Sequence, residues 1–506
     1  MSSGPGACRR AAGPPSAAGW RCTIPTGVWP WPWPAPSIGS AGGASEDREA
    51  VLSAMSRTAL AGASAVLVLG ALAWIVGPGA SVPGQAVARP NVVLVIGCTL
   101  RRDQLSPYGG LSAASPFLQQ LAQQGARFAH AVDAAPWTRA ASTAIVTGHH
   151  PIEVGMIEPL PTPSRRRLSA EVTTLAERLS AAGYETIGLT ANPNLNRVFG
   201  FAQGFDAYYE AQGLWGEQDD VLKIPATELA QRALELVDAR QRRDDPLYLR
   251  MVTIDPHEPV EVPRRRSRAM APDGVPPRVA DYRVEVRRWD NGLRVLWEGL
   301  QRRGFSRDDT LLVVINDHGE GLSWPPEHGG GHGHHLLPSV LDMPWVVVGP
   351  GVAVDHLIDG IASQIDVHPT ILGLVGIEGY TGPGHDLSGP IRGAAHTGLD
   401  RAYADTWFGR MSRAAIYTEH RLCVHDFEDL AEQLGIERIL PRTACFDRRI
   451  DPAGREPLAQ PDEELIAELE AWRGQMWRAF ERWPHHERLE AGVSEDALLD
   501  ALGYTE

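Results

Sequence analysis

The stretch from Asn91 to Ile96 reads Asn-Val-Val-Leu-Val-Ile, and it constrains the fold more than any other part of the chain. A continuous apolar, β-branched run has no solvent-facing side, so it suits a strand buried on both faces, the habit of parallel sheets covered by helices. It follows Arg89-Pro90 and stops at Gly97. A helix is punctuated next, with Ser115 as N-cap, Pro116 at the first helical position, Leu118 and Leu121 one turn apart, and Gly125 as the stop. The alternation recurs. Thr174 and Glu177 form a capping box for a helix through Ala182, Gly183 stops it, and Thr186 to Thr190 reads as the following strand. Further strands are expected at Leu247 to Ile254, Leu311 to Ile315 and Pro344 to Val348. This alternation predicts an α/β fold whose sheet is covered on both faces. In such sheets the reactive loops lie beyond the carboxyl ends of the strands. The polar clusters at Cys98, Asp255 to His257 and Asp317 to His318 each follow a predicted strand, so they are expected to converge.

The flanks have another texture. Residues 1–54 are rich in Pro, Gly, Ser and Ala without helical or strand period, and are expected to be a disordered leader, with Met55 as the working start. Ala59 to Val76 runs apolar without a charge, a length between a signal-peptide core and a bilayer span. Residues 55–87 are therefore read as a signal peptide or membrane anchor, and the protein as exported: periplasmic, extracellular or membrane-anchored. The core is expected over 88–397. From 398 to 506, short strand-like runs near Ala414 to Tyr417 and around Leu422 precede a helix with the apolar stripe Leu465, Ile466, Leu469, Trp472, Met476 and Phe480, which predicts a small α+β subdomain. Lysine plus arginine total 47 against 62 acidic residues, and the one short basic run is Arg264, Arg265, Arg266, which argues against nucleic acid as a partner. An anionic substrate would need a local positive site such as a metal. Five cysteines without a CxxC pair argue against a zinc ribbon. Cys423 and Cys445 are either one bridge of an exported protein or buried free thiols.

An ordered set of short motifs carries a family resemblance. The stretch Arg89 to Leu105, with Cys98-Thr99-Leu100-Arg101 after the strand, resembles the first strand of sulfatases, a branch of the alkaline-phosphatase superfamily. Pro136-Trp137-Thr138 and Thr147-Gly148 resemble the segment where the family places its nucleophile and the helix behind it. Asp255-Pro256-His257, Asp317-His318-Gly319-Glu320, His332-Gly333 and Gln364 to Leu372 follow in the family's order, as do Cys445-Phe446-Asp447 and Asp451 to Glu456. The resemblance implies a mixed, mostly parallel sheet sandwiched by helices. It also implies chemistry on sulfate or phosphate esters, with Asp317 and His318 as metal ligands and His257 and His332 as contacts to substrate and leaving group. The neighbours His328, His334 and His335 are read as loop filler or an adventitious metal patch.

Two positions depart from the family's pattern. Cys98 stands where the family puts a metal-binding aspartate, and a soft thiolate favours zinc where a carboxylate suits calcium or magnesium. Cys98 is thus either a ligand or a small buried residue, and the expected cofactor is one divalent ion, calcium or magnesium by the resemblance and zinc by the sulfur. Thr138, followed by Arg139, Ala140, Ala141 and Ser142, stands where sulfatases have Cys or Ser with Pro and Arg two and four positions later. Sulfatases oxidise that residue to formylglycine. Threonine cannot yield the aldehyde, because its β-carbon carries a methyl group, so no formylglycine is expected. Thr138 can instead attack directly as an alkoxide beside a metal, with Arg139 as a substitute anion contact. The expected function is a metal-dependent hydrolase of sulfate or phosphate esters on a small molecule, glycan or lipid; the alternative is a catalytically impaired sulfatase-fold protein with a binding role.

Overall fold

The computed structural model describes residues 89–159, 166–211, 223–260, 262–272, 274–323, 325, 329–396, 399–409, 411–427 and 440–482. The expectations for residues 1–54 and 55–87, and the reading of His328, lie outside these. Among the described residues no helix is long and apolar enough to cross a membrane. In chain order the strands are β1 (Asn91–Gly97), β2 (Ala126–Val132), β3 (Glu158–Pro159), β4 (Glu185–Thr190), β5 (Ala207–Glu210), β6 (Leu247–Thr253), β7 (Thr310–Asn316) and β8 (Gly321–Leu322). They continue as β9 (Gly330–Gly331), β10 (Asp342–Met343), β11 (Trp345–Val348), β12 (His356–Ser363), β13 (Arg401–Gly409), β14 (Met411–Thr418), β15 (Arg421–Asp426) and β16 (Thr443–Asp447). The helices used below are α1 (Pro116–Gln124), α2 (Thr138–Thr147), α3 (Leu175–Ala181), α4 (Ala226–Asp238), α5 (Arg264–Ala269), α6 (Pro277–Gln301), α7 (Val367–Leu374) and α8 (Glu463–Arg482).

The apolar run Asn91 to Ile96 becomes the centre of a nine-stranded sheet, with β7 on one side of β1 and β6 on the other, all parallel. Outward from β6 lie β4 and β5; outward from β7 lie β11, β2 and β12. Only β10 and β11 run against the rest, so the sheet is mixed and mostly parallel. Successive β1 residues point to opposite faces, as strand geometry requires. Val92, Leu94 and Ile96 join the core with Ile145 of α2, Leu179 of α3 and Ile371 of α7, whereas Val93 and Val95 join Leu118 of α1, Leu229 of α4 and Trp289 of α6. Each such side chain contributes on the order of 1.5–3 kcal/mol by leaving water.

The capping box on α3 is present, with the Thr174 hydroxyl accepting from the Glu177 N–H and the Glu177 carboxylate accepting from Thr174 N. On α1 the expectation needs correction. Ser115 precedes the helix, but its hydroxyl accepts from Ser106 N at 2.8 Å; the free N–H groups of Phe117 and Leu118 donate instead to the Asp290 carboxylate of α6, at 3.0 and 2.8 Å. Gly125 ends α1 in extended backbone, not the left-handed turn of a glycine stop, and it is required by proximity: a Cβ there would stand 2.0 Å from the Val347 carbonyl oxygen.

His368 on α7 donates through Nδ1 to the Val146 carbonyl of α2 at 2.9 Å, and burial pushes its pKa down to about 3. The native ring is therefore neutral, whereas in the unfolded chain it takes up a proton near pH 6.5. Because the unfolded state then binds a proton that the native state refuses, this site's stability is present above pH 6.5 and falls by about 1.4 kcal/mol per pH unit down to about pH 3. Urea unfolding at pH 6 and pH 5 should show a slope shallower by about that amount in His368→Gln than in the wild type. Equal slopes would mean that the native ring is already charged.

The second sheet runs β16-β15-β14-β13-β3, antiparallel except for β3 on β13. Cys423 and Cys445 face each other across β15 and β16 and form a disulfide, which selects the bridge over the free thiols. The stripe on α8 buries Leu469, Trp472, Met476 and Phe480 in one cluster with Ala414, Ile416 and both cysteines.

Candidate active site

The turn after β1 carries Cys98 and then Thr99, which holds φ at 54°. A β-branched residue in the left-handed region is strained and persists only where its surroundings fix it. Three hydrogen bonds do so here: Thr99 N donates to Asp317 Oδ1 at 3.0 Å, Tyr282 of α6 donates to Thr99 O at 2.6 Å, and the Thr99 hydroxyl donates to Cys98 O at 2.7 Å. Asp317 and His318 follow β7 directly. The His318 N–H also donates to Asp317 Oδ1, and Gln364 Nε2 donates to Asp317 O at 2.7 Å and to buried Asp133 at 2.8 Å. Asn316 donates to the other Asp133 oxygen, so a buried carboxylate and two amides brace the end of β7.

One ligand atom each from Cys98, Asp317 and His318 lies within 4.8 Å of the others, the one such group among the described residues. Asp317 Oδ2 is buried without a hydrogen-bond partner, 3.7 Å from His318 Nε2. The Nδ1 of His318 lies 2.8 Å from the Gly319 carbonyl, which places the ring proton there and turns the Nε2 lone pair inward. An orphaned carboxylate oxygen, an imidazole lone pair and a sulfur facing one point fit a divalent cation. Burial and the Asp317 charge push the Cys98 thiol well up, so the thiolate needs a cation beside it.

Thr138 is the first residue of α2, where the N-terminal end of a helix favours negative charge. Its Oγ1 lies 3.3 Å from His318 Nε2, 3.8 Å from Cys98 Sγ and 3.3 Å from Asn192 Nδ2. Asn192 also donates to the Cys98 sulfur at 3.2 Å. The sequence reading missed Asn192, yet it follows β4 as Cys98 follows β1, and the strand-end rule would have found it.

The His332 ring stands 4.6 Å from that of His318 and 5.1 Å from that of His257, centroid to centroid. Burial opposes a charge on His332, but Glu320 at 3.2 Å holds its pKa above the ordinary histidine range; burial opposes a charge on Glu320 too, yet His332 draws it down to about 2. Burial, with His332 nearby, pushes His257 down to about 4. The two histidines are therefore pushed in opposite directions, His332 toward holding its proton and His257 toward losing it. Lys223 donates to the carbonyls of Asp255 and His257, steadying that turn. Asp255 itself turns away to the N-terminus of α4, where both of its oxygens accept from Ala226 N at 3.1 Å. The β13 strand seats the His332 loop: the Thr406 hydroxyl donates to Gly333 O at 2.7 Å, and Phe408 occupies the space where a side chain at Gly333 would go.

Arg139 corrects the expectation of an anion contact. The residue is 1% exposed, and its guanidinium donates to both Glu158 oxygens at 2.5 and 2.6 Å and lies over the Phe199 ring at 4.6 Å. A charge so paired anchors α2 to β3 and has none left for a substrate. His334 donates through Nδ1 to the His332 carbonyl at 3.0 Å, and among the described residues it forms no metal group with His335.

Solved structures share this mostly parallel sheet. The phosphonate monoester hydrolase of Agrobacterium radiobacter superposes with a TM-score of 0.61 at 18% identity, over 81% of this chain and 99% of that one. A 2-O GAG sulfatase gives 0.61 at 17% identity, over 80% and 95%. The sulfatase family model matches residues 90–377, more than half of the chain, and the chain belongs to the sulfatase family. It is 39% identical to human arylsulfatase A over 105 residues, which is 20% of this chain and 21% of that protein. To a low-salt glycan biosynthesis sulfotransferase of Haloferax volcanii it is 34% identical over 99 residues, 19% of this chain and 24% of the other. The matches thus span about a quarter or less of these two relatives' length.

Proposed function

We propose that the chain is an exported, metal-dependent hydrolase of sulfate or phosphate esters, with a sulfated sugar as the favoured substrate class and the Thr138 hydroxyl as nucleophile. The observation that carries this reading is the meeting of Thr138 Oγ1 with His318 Nε2 at 3.3 Å, at a helix N-terminus and beside Cys98. Cys98, Asp317 and His318 would hold the ion, and a donor set of sulfur, carboxylate oxygen and imidazole nitrogen favours zinc. When bound, a divalent cation supplies Lewis-acid charge for the ester oxygens and lowers the pKa of a nearby hydroxyl. Asn192 Nδ2 is poised to donate to an ester oxygen, and His332, whose proton Glu320 favours, to protonate the leaving oxygen. Glycan sulfates are favoured because a neighbour in fold is a 2-O GAG sulfatase.

The test is a panel of sulfate monoesters, phosphate monoesters and phosphodiesters offered to the zinc-loaded protein, with metal content measured alongside. About one ion per chain is expected, lost in Asp317→Ala together with turnover. A wild type that holds no ion with zinc, calcium, magnesium or manganese supplied would end the hydrolase reading. In that event the buried, protonated Cys98 thiol favours a second one, a sulfatase-fold protein that binds without catalysis. Cys98→Asp should tighten calcium or magnesium binding at least about tenfold in calorimetry, because a carboxylate offers hard oxygen at the same point.

A further inference from the structure

Lys223 is the one lysine among the 47 lysines and arginines of the chain; every other, the run on α5 included, is an arginine. The single ammonium side chain stands just ahead of α4 and faces the turn that carries His257. Its Nζ donates to Asp255 O at 2.9 Å and to His257 O, while both oxygens of Asp255 accept from Ala226 N at 3.1 Å. The two segments thus hold each other from both sides: a side chain of the first grips the backbone of the second, and a side chain of the second grips the backbone of the first. His257 rides on the held turn, with Nδ1 2.6 Å from Glu258 O and its ring 5.1 Å from that of His332.

The geometry calls for an ammonium. Two carbonyls converge on one nitrogen, and Glu285 of α6, buried beside Arg288, lies within electrostatic reach of it, as does Cys98. An ammonium offers three donors spread about a point, whereas a guanidinium spreads five across a plane suited to the paired oxygens of a carboxylate or phosphate. Burial opposes the charge and draws the Lys223 pKa down, with Glu285 and Asp255 acting the other way. A lysine on a plain surface loop keeps its charged end in water instead.

We infer that Lys223 is a positioning residue for His257, holding that ring against His332 through the two carbonyls without itself touching the ester, a role that rests on the ester-hydrolase reading of the site. Misplacing a reacting group by about 1 Å costs on the order of a hundredfold in rate. Lys223→Met keeps the stem and removes the donors, so on the best ester of the panel kcat should fall at least about tenfold, with KM changed less than about threefold and zinc content at the wild-type level. Lys223→Arg should recover little of the loss, because its planar fork does not converge on the two carbonyls. His257 gives a second readout that needs no turnover: its acylation by diethyl pyrocarbonate, followed by peptide mass spectrometry, should quicken at least about fivefold in Lys223→Met as the freed turn exposes the ring. A purely structural brace would lower the melting temperature and leave both readouts, per folded chain, where they were. If Lys223→Met fails to fold, reductive methylation of the folded wild type, which alters only this side chain and the amino terminus, carries the same comparison. Unchanged His257 acylation, unchanged kcat, or full recovery in Lys223→Arg each overturns the positioning role. Quickened acylation in a protein that turns over no ester of the panel sinks the hydrolase reading alone.

Discussion

Thr138→Val is expected to lower kcat by about a thousandfold or more, while Thr138→Ser keeps measurable turnover. Valine matches the shape of threonine and removes only the hydroxyl, so α2 retains its packing. What disappears is the oxygen that meets His318 Nε2, Asn192 Nδ2 and the Cys98 sulfur. A thousandfold is about 4 kcal/mol of transition-state stabilisation, more than a displaced side chain near a site would ordinarily cost. Serine restores the nucleophile without its methyl group. Steady-state kinetics on the best ester of the panel, with melting temperatures alongside, decides it: a valine variant as active as the wild type would remove Thr138 from the chemistry.

Glu158→Gln is expected to destabilise the fold by about 3–5 kcal/mol, the usual result of stranding one partner of a buried ion pair. Arg139 would keep its charge beside a neutral amide oxygen, the Arg166 carbonyl at 3.3 Å and the faces of Phe199 and Trp137. Replacing both members, Arg139→Met with Glu158→Leu, should cost markedly less, because the desolvation of both charges disappears with them. Urea unfolding of Glu158→Gln and of the double variant measures the difference. If Glu158→Gln unfolds like the wild type, the pair does not hold the amino end of α2.

The resemblance and the residues together made much of the site legible. Cys98, Asp317 and His318 follow apolar strands, and a parallel sheet brings strand ends together whatever lies between them. The capping box on α3 was equally legible, since all its partners lie within four residues. Helix α6 escaped notice because its charged residues obscure a stripe running Tyr282, Val286, Trp289, Leu293, Leu296, Leu300, which has helical spacing and was open to a periodicity count. The cap on α1 was not open to any such count. Asp290 is 172 residues from Leu118, and nothing local distinguishes it from the other acids of a charged helix.

Local order and element type follow from interactions a few residues long: the apolar period, the α3 capping box and the Gly183 turn were written along the chain, and with them the α/β class. The partner of each buried charge was decided only when distant strands came together. Arg139 sits one residue from Thr138 and looked like part of the same chemistry, until β3 brought Glu158 against it. Electrostatic pairing depends on distance in space, and chain separation says nothing about it.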